Sequence, residues 1–144
     1  MTDKNKATQQ GGQSINNTHN NCNQNNTKLT TVKPASQLER VLLGLLYSGS
    51  MTCQEAEKLP VKARHLNSVI SDLAHSYNLE ILREREKAPG YLGETCHLIR
   101  YSVHQHQQAK ARQLIDRWRI KRHAVPVVWI ALRSVSLEKL LKTA

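Results

Sequence analysis

From Ser36 onward, apolar positions recur with helical spacing. Leu38, Val41, Leu42, Leu45 and Leu46 predict a first helix over Gln37–Ser48. Ser36-Gln37-Leu38-Glu39 has the form of a capping box: the serine hydroxyl accepts from a first-turn N–H while the glutamate reaches back to the cap. Gly49 is suited to the stop. After a short extended stretch at residues 50–52, Thr52-Cys53-Gln54-Glu55 repeats the capping-box pattern. The second helix is short, because Pro60 disfavours helical geometry at Leu59. Ala56 and Leu59 are its expected buried face. A third helix is predicted over residues 62–76, with Leu66, Val69, Ile70, Leu73 and Tyr77 on one side. Opposite them lie Arg64, Ser68, Ser71 and His75, flanked by His65, Asn67 and Asp72.

The period then changes. Residues 79–86 place Ile81 and Leu82 among charges, and Ala88-Pro89-Gly90-Tyr91-Leu92-Gly93 is dense in turn formers. Thr95–Val103 carries Ile99, Tyr101 and Val103 at alternate positions, so the two stretches predict a β-hairpin. A fourth helix is expected over residues 105–122, striped by Ala111, Leu114, Ile115 and Trp118. Residues 125–132 are apolar, and Leu137–Lys142 is helical again. Residues 1–35 are rich in Asn, Gln and Thr; little there can be buried to offset the entropy of ordering, so they read as a disordered tail. The expected organisation is a tail (1–35), a helix-and-hairpin domain (36–104), a basic amphipathic helix (105–123), and an apolar segment with a short helix (124–144).

Charge changes the picture most. Among 144 residues, 21 Lys and Arg face 11 Asp and Glu, a net charge of +10. Such a chain attracts polyanions, of which nucleic acid is the commonest in a cell. An acidic membrane surface fits less well, since no long apolar run or amphipathic Lys/aromatic stripe is present; no membrane partner is expected. No cationic segment followed by an apolar one opens the chain, which points to a cytoplasmic, reduced protein. With 4% aromatic residues and no Phe, the core must be aliphatic, and a base-stacking platform is disfavoured. Three cysteines without a CxxC argue against a disulfide framework or zinc ribbon; Cys53 and Cys96 read as small core residues. No phosphate-binding Gly loop, nucleophile elbow or carboxylate pair is present, so neither catalytic residues nor a cofactor are expected, and the chain reads as no enzyme.

The element order is helix, short helix, turn, helix, hairpin. Leu38-Glu39-Arg40-Val41-Leu42-Leu43, Met51-Thr52-Cys53-Gln54-Glu55-Ala56 and Leu66-Asn67-Ser68-Val69-Ile70-Ser71-Asp72-Leu73 resemble the small winged-helix, helix-turn-helix domains of bacteriophages and other bacterial mobile elements. The resemblance covers roughly the middle half of the chain. It implies a mainly α fold with a β-hairpin wing (α+β), here with a disordered N-terminal tail and an extra C-terminal helix. The third stretch would be the recognition helix, Asn78-Leu79-Glu80-Ile81 would open the wing, and Ile99-Arg100-Tyr101-Ser102-Val103 would close it. The implied function is sequence-specific or semi-specific binding of double-stranded DNA, as a transcriptional regulator or accessory factor. The chain departs from the family at Ala74-His75-Ser76-Tyr77, where more arginine is usual.

In such a fold the second helix of the pair enters the major groove. The candidate contacts there are Lys62, Arg64, His65, Asn67, Ser68 and Ser71; Arg pairs bidentately with guanine and Asn with adenine. On the hairpin, Arg83, Arg85 and Lys87 are candidate phosphate contacts, although Glu84, Glu86 and Glu94 sit among them and leave a solvated ribbon as the plainer reading. Asp72 is expected to pair with a wing arginine, and Tyr91 sits at the tip. On the fourth helix, Lys110, Arg112, Arg117, Arg119, Lys121 and Arg122 flank the stripe and are further phosphate candidates. The stripe itself would pack on the domain or on a second copy, so a homodimer is expected through residues 105–122 or 125–132. Cys96, His97, His104 and His106 lack a closing acidic or Cys pair at ligand spacing, and His19 with Cys22 lacks partners, so no metal site is read from either group. The alternatives are a protein-interaction module docking through residues 125–132, and RNA binding.

Overall fold

The first helix forms where the pattern places it. In the computed structural model, which describes residues 32–134 and 136–142, α1 spans Gln37–Ser48. Ser36 Oγ accepts from the Glu39 N–H at 3.2 Å. Gly49, at φ 84°, closes the helix with its N–H on the Leu45 carbonyl; a left-handed residue there favours glycine. The box at Ser36 is nevertheless only half made. The Glu39 side chain turns inward and is 1% exposed.

The second capping box is complete. Thr52 Oγ1 accepts from the Glu55 N–H at 3.3 Å, and the Thr52 N–H donates to Glu55 Oε2 at 2.8 Å. It starts α2 (Cys53–Glu57), directly after the two-residue strand β1 (Met51–Thr52). The helix stops two residues short of Leu59, which is exposed rather than buried. Lys58 is already extended, and Lys62 takes φ 48°. The Ala63 N–H bonds the Ala56 carbonyl and the Lys62 N–H bonds the Lys58 carbonyl. These bonds turn the linker back over α2 and bury Val61 and Ala63. The third helix, α3, therefore begins at Leu66, not at residue 62, and runs to Ser76.

Asn78, at φ 52°, turns the chain out of α3, and the Leu79 N–H bonds the Leu73 carbonyl. Asparagine tolerates that left-handed conformation better than most residues. The hairpin follows: β2 (Ile81–Pro89) pairs antiparallel with β3 (Thr95–Val103), Ile81 opposite Val103 and Pro89 opposite Thr95. A 3-10 turn at Tyr91–Gly93 forms the tip. β1 joins the other edge of β3, Met51 opposite Tyr101, giving the sheet order β1-β3-β2. After a 3-10 turn at Gln105–Gln107 come α4 (Gln108–Lys121), a 3-10 stretch at Trp129–Ser134, and α5 (Leu137–Lys142). The architecture is α+β: helices packed with a small antiparallel sheet.

The core is aliphatic, as the composition requires. Val41, Leu42, Leu43 and Leu45 of α1 meet Leu66, Ile70 and Leu73 of α3, with Met51, Tyr101 and Val103 of the sheet. Ala111, Leu114 and Ile115 of α4 complete the same cluster. Most of the stripe of α4 is thus buried within its own chain. Trp118 meets Tyr77 edge-on, with ring centroids 5.1 Å apart. Cys53 and Cys96 are half-buried at the margin rather than in the core. Residues 1–31, most of the expected tail, lie outside the described residues. The last residues of that tail instead belong to the fold: Ala35 is buried, its carbonyl accepts from Arg40, and the Lys33 carbonyl accepts from Arg122. Among the described residues, no helix is long and apolar enough to cross a membrane.

Glu39 explains why its capping box fails. Its carboxylate takes a bidentate pair of bonds from Arg122, both 2.9 Å, and one from Arg119 at 3.2 Å. Arg119 also donates to the carbonyls of Val125 (2.6 Å) and Leu140 (3.0 Å). One ion cluster thereby ties α1, α4, the segment after α4, and α5. Burial pulls the Arg119 guanidinium below its ordinary pKa, with Glu39 opposing the shift.

Candidate nucleic-acid interface

The hairpin sorts its charges by face. Arg83, Arg85 and Lys87 sit at alternate positions of β2, opposite Tyr101, Ile99 and His97. Alternate residues of a strand, and residues directly opposed across an antiparallel pair, share one face. Glu84 and Glu86 occupy the other face, opposite Arg100 and Leu98. There Arg100 binds Glu86 at 2.6 Å and reaches both Glu55 oxygens at 3.2 Å. The Glu86 and Glu55 bonds hold the Arg100 guanidinium above its ordinary pKa. Charge that looks balanced along the sequence is therefore separated in space: a cationic stripe on one side, carboxylates with Arg100 among them on the other.

Tyr101 joins that stripe to α3. Its ring, 3% exposed, lies 6.0 Å beneath the Arg83 guanidinium. Its hydroxyl donates to Asn67 Oδ1 on α3 at 2.7 Å. Cys53 Sγ donates to the same oxygen at 3.4 Å; burial, then Glu57, push that thiol's pKa up, so it stays protonated and able to donate. Both lone pairs of Asn67 Oδ1 are engaged, which leaves the side-chain NH2 as the outward group. The expected bidentate pairing with adenine needs the oxygen as an acceptor and is not available in this arrangement. Donation to an acceptor is.

Asn67 and Ser68 are exposed on α3 and Ser71 is half-exposed, with Asp72 and His75 alongside. His75 Nδ1 contacts the Ser71 carbonyl at 2.8 Å. Asp72 makes no ion pair with Arg83, Arg85 or Lys87, contrary to expectation; Glu55 and Glu86 are the carboxylates that meet a hairpin arginine, Arg100. Lys62, Arg64 and His65 precede α3 rather than lying on it, and all three are exposed. They line one shallow hollow with Gln37 and Arg40. Arg40 is held there by bonds to the carbonyls of Val61 and Ala35, both 2.8 Å. Sequence reasoning missed Arg40 because helical periodicity assigns it only to a polar side of α1; the contact with the α3 approach is set by tertiary packing.

The cations of α4 divide. Arg119 is 1% exposed and held by Glu39, so the expectation that it contacts phosphate is corrected. Arg122 is held by the same carboxylate. Lys110 Nζ donates to the Asn78 carbonyl at 2.6 Å, and Arg112 lies 5.8 Å over the Trp129 ring, whose N–H bonds Asp116. Arg117 and Lys121 are exposed. At the hairpin tip Tyr91 and Leu92 are exposed. No protein-family model matches the chain, and neither a curated protein nor a solved structure shows a match to it.

Proposed function

We propose that the chain binds double-stranded DNA as a winged helix-turn-helix and acts without catalysis, as a transcriptional regulator or accessory factor. α3 enters the major groove, and the β2–β3 hairpin is the wing along the adjoining backbone. The observation that carries this reading is the joint at Tyr101. Through it the stripe Arg83-Arg85-Lys87 and the polar side of α3 belong to one surface, while the carboxylates of β2 face away. A major groove ~12 Å wide admits one helix, and a basic ribbon beside that helix meets phosphate. Arg64 is the base-reading candidate, as a guanine partner; Asn67, Ser68 and Ser71 supply donors, and Lys62, His65 and Arg40 flank the approach. Arg117 and Lys121 are secondary phosphate contacts.

Fluorescence-anisotropy titration against duplex DNA at several salt concentrations tests this. Each phosphate contact adds ~0.9 to the slope of log affinity against log salt. The double variant Arg85→Ala/Lys87→Ala should lower the slope by about 2, whereas Glu84→Gln, on the opposite face, should leave affinity equal or slightly higher. Absence of binding by the parent chain at low salt sinks the proposal. Competition by duplex RNA that equals duplex DNA would shift it to RNA.

A homodimer is favoured by one further observation. Ile120, Val125, Val128 and Ile130 are exposed, while Ala124, Val127 and Leu132 point into the core. Paired copies would read two half-sites about 34 Å apart. Val128→Glu should then leave a monomer by light scattering.

A further inference from the structure

We propose a divalent transition-metal site of the zinc class at the base of the hairpin, with Glu80, His104 and His106 as ligands. Along the sequence the two histidines lack a closing acidic partner, because that partner lies across the hairpin, just before the other strand. Glu80 immediately precedes β2 and His104 immediately follows β3. The His104 N–H donates to the Glu80 carbonyl at 3.1 Å, continuing the hairpin ladder by one step. His106 then comes round on the 3-10 turn at Gln105–Gln107. One ligand atom from each of the three residues lies within 4.8 Å of the other two. His106 Nε2 is already 2.9 Å from Glu80 Oε2, and the two imidazole rings are 4.1 Å apart between centroids.

The chemistry fits. Two imidazole nitrogens and one carboxylate oxygen are a borderline set suited to zinc, and a three-ligand protein site leaves a position for water or a further ligand. Bonds of ~2.0–2.2 Å at tetrahedral angles require ligand atoms about 3.3 Å apart. Glu80 and His106 are exposed and His104 is half-buried, so side-chain rotation alone can draw the set together.

A second observation points to the same corner. Among the described residues, two buried side-chain polar atoms lack any hydrogen-bond partner, and both sit in this corner: His104 Nδ1 and Gln107 Oε1. Buried polar atoms without partners are rare and call for an explanation. An imidazole with one nitrogen unpartnered, tilted at 57° against a second imidazole that touches a carboxylate, is a metal ligand set closed to within a side-chain rotation. The bound ion would staple the start of β2, the end of β3 and the approach to α4. It would fix the hairpin against the helices and raise the stability of the folded chain by mass action.

The full chain, stripped with chelator and dialysed, is titrated with zinc by calorimetry and with cobalt(II) by visible absorbance. The expected result is an ion bound with d–d bands from mixed nitrogen and oxygen ligation. Affinity should fall at least about tenfold in both His106→Ala and Glu80→Gln, a loss typical of disturbed metal shells. The double variant His19→Ala/Cys22→Ala, outside the described residues, should keep full affinity. In the parent chain, zinc should shift the imidazole nitrogen resonances of His104 and His106, a readout that survives any variant failing to fold. No uptake, retained affinity in either single variant, or unshifted imidazoles overturns the site.

Discussion

Tyr101 holds two relations at once, its hydroxyl on Asn67 and its ring under Arg83. Tyr101→Phe should cost about 1 kcal/mol of stability, the net value of one such hydrogen bond, read from urea unfolding. It should also free one lone pair of Asn67 Oδ1 and release the amide to turn, so that selection from random duplexes gains preference for adenine at one position. An unchanged selected site would show that Asn67 does not face a base. Arg64 carries the opposite prediction. Arg64→Ala should weaken a selected site more than random DNA, by ~1–3 kcal/mol if guanine is read; equal losses would confine it to phosphate. At this scale the sequence was partly legible. Arg64 is exposed, but ahead of the helix; Asn67 and Ser68 stand exposed on α3 as periodicity predicted. Arg119 does not, because its partner Glu39 lies 80 residues away, and a pairing over that distance leaves no trace in local spacing.

Among the elements, α1, the hairpin and α4 were readable because each has its own period. The start of α3 was not, since it depends on Lys62 at φ 48° and on the Ala63–Ala56 hydrogen bond, neither of which residue type announces. The separation of hairpin charge follows from alternation alone and needed only the register. That register also makes α2 acid-sensitive. Desolvation acts to raise the Glu55 pKa, but the Thr52 N–H and the Arg100 guanidinium outweigh it and hold the carboxyl below its ordinary 4.5. A depressed folded-state value contributes stability above the unfolded value and loses it as pH falls through the folded one. Glu55→Gln keeps a capping acceptor but loses the charge. It should therefore be less stable than the parent at neutral pH, with the gap closing below about pH 4.5. A gap that stays constant to pH 3 in thermal melts would assign the effect to something other than the Arg100 pair.

For the molecule as a whole, net charge overstates the cationic face. Arg100, Arg119 and Arg122 are bound to carboxylates inside the structure, so the surface available to DNA is narrower than +10 suggests. The Glu39 cluster shows where that charge goes. Two guanidinium groups converge on one carboxylate that is 1% exposed, and removing the carboxylate alone leaves the buried Arg119 cation without its counter-charge. Breaking one partner of a buried ion pair costs ~3–5 kcal/mol, and Glu39→Gln should lose about that much in urea unfolding. Replacing all three residues with apolar ones of similar volume is often neutral elsewhere. Here it should recover only part of the loss, because Arg119 also satisfies the carbonyls of Val125 and Leu140, which would be left bare. The same reasoning separates stability from binding. At a temperature where Glu39→Gln remains folded, its DNA affinity and salt slope should equal those of the parent, since the Glu39 carboxylate bonds two arginines at the C-terminal end of α4 and not Tyr101, α3 or the basic stripe. A higher slope in that variant would mean that Arg122, released from Glu39, takes up a phosphate contact, and a lower one that the packing of α4 takes part in the DNA contact after all.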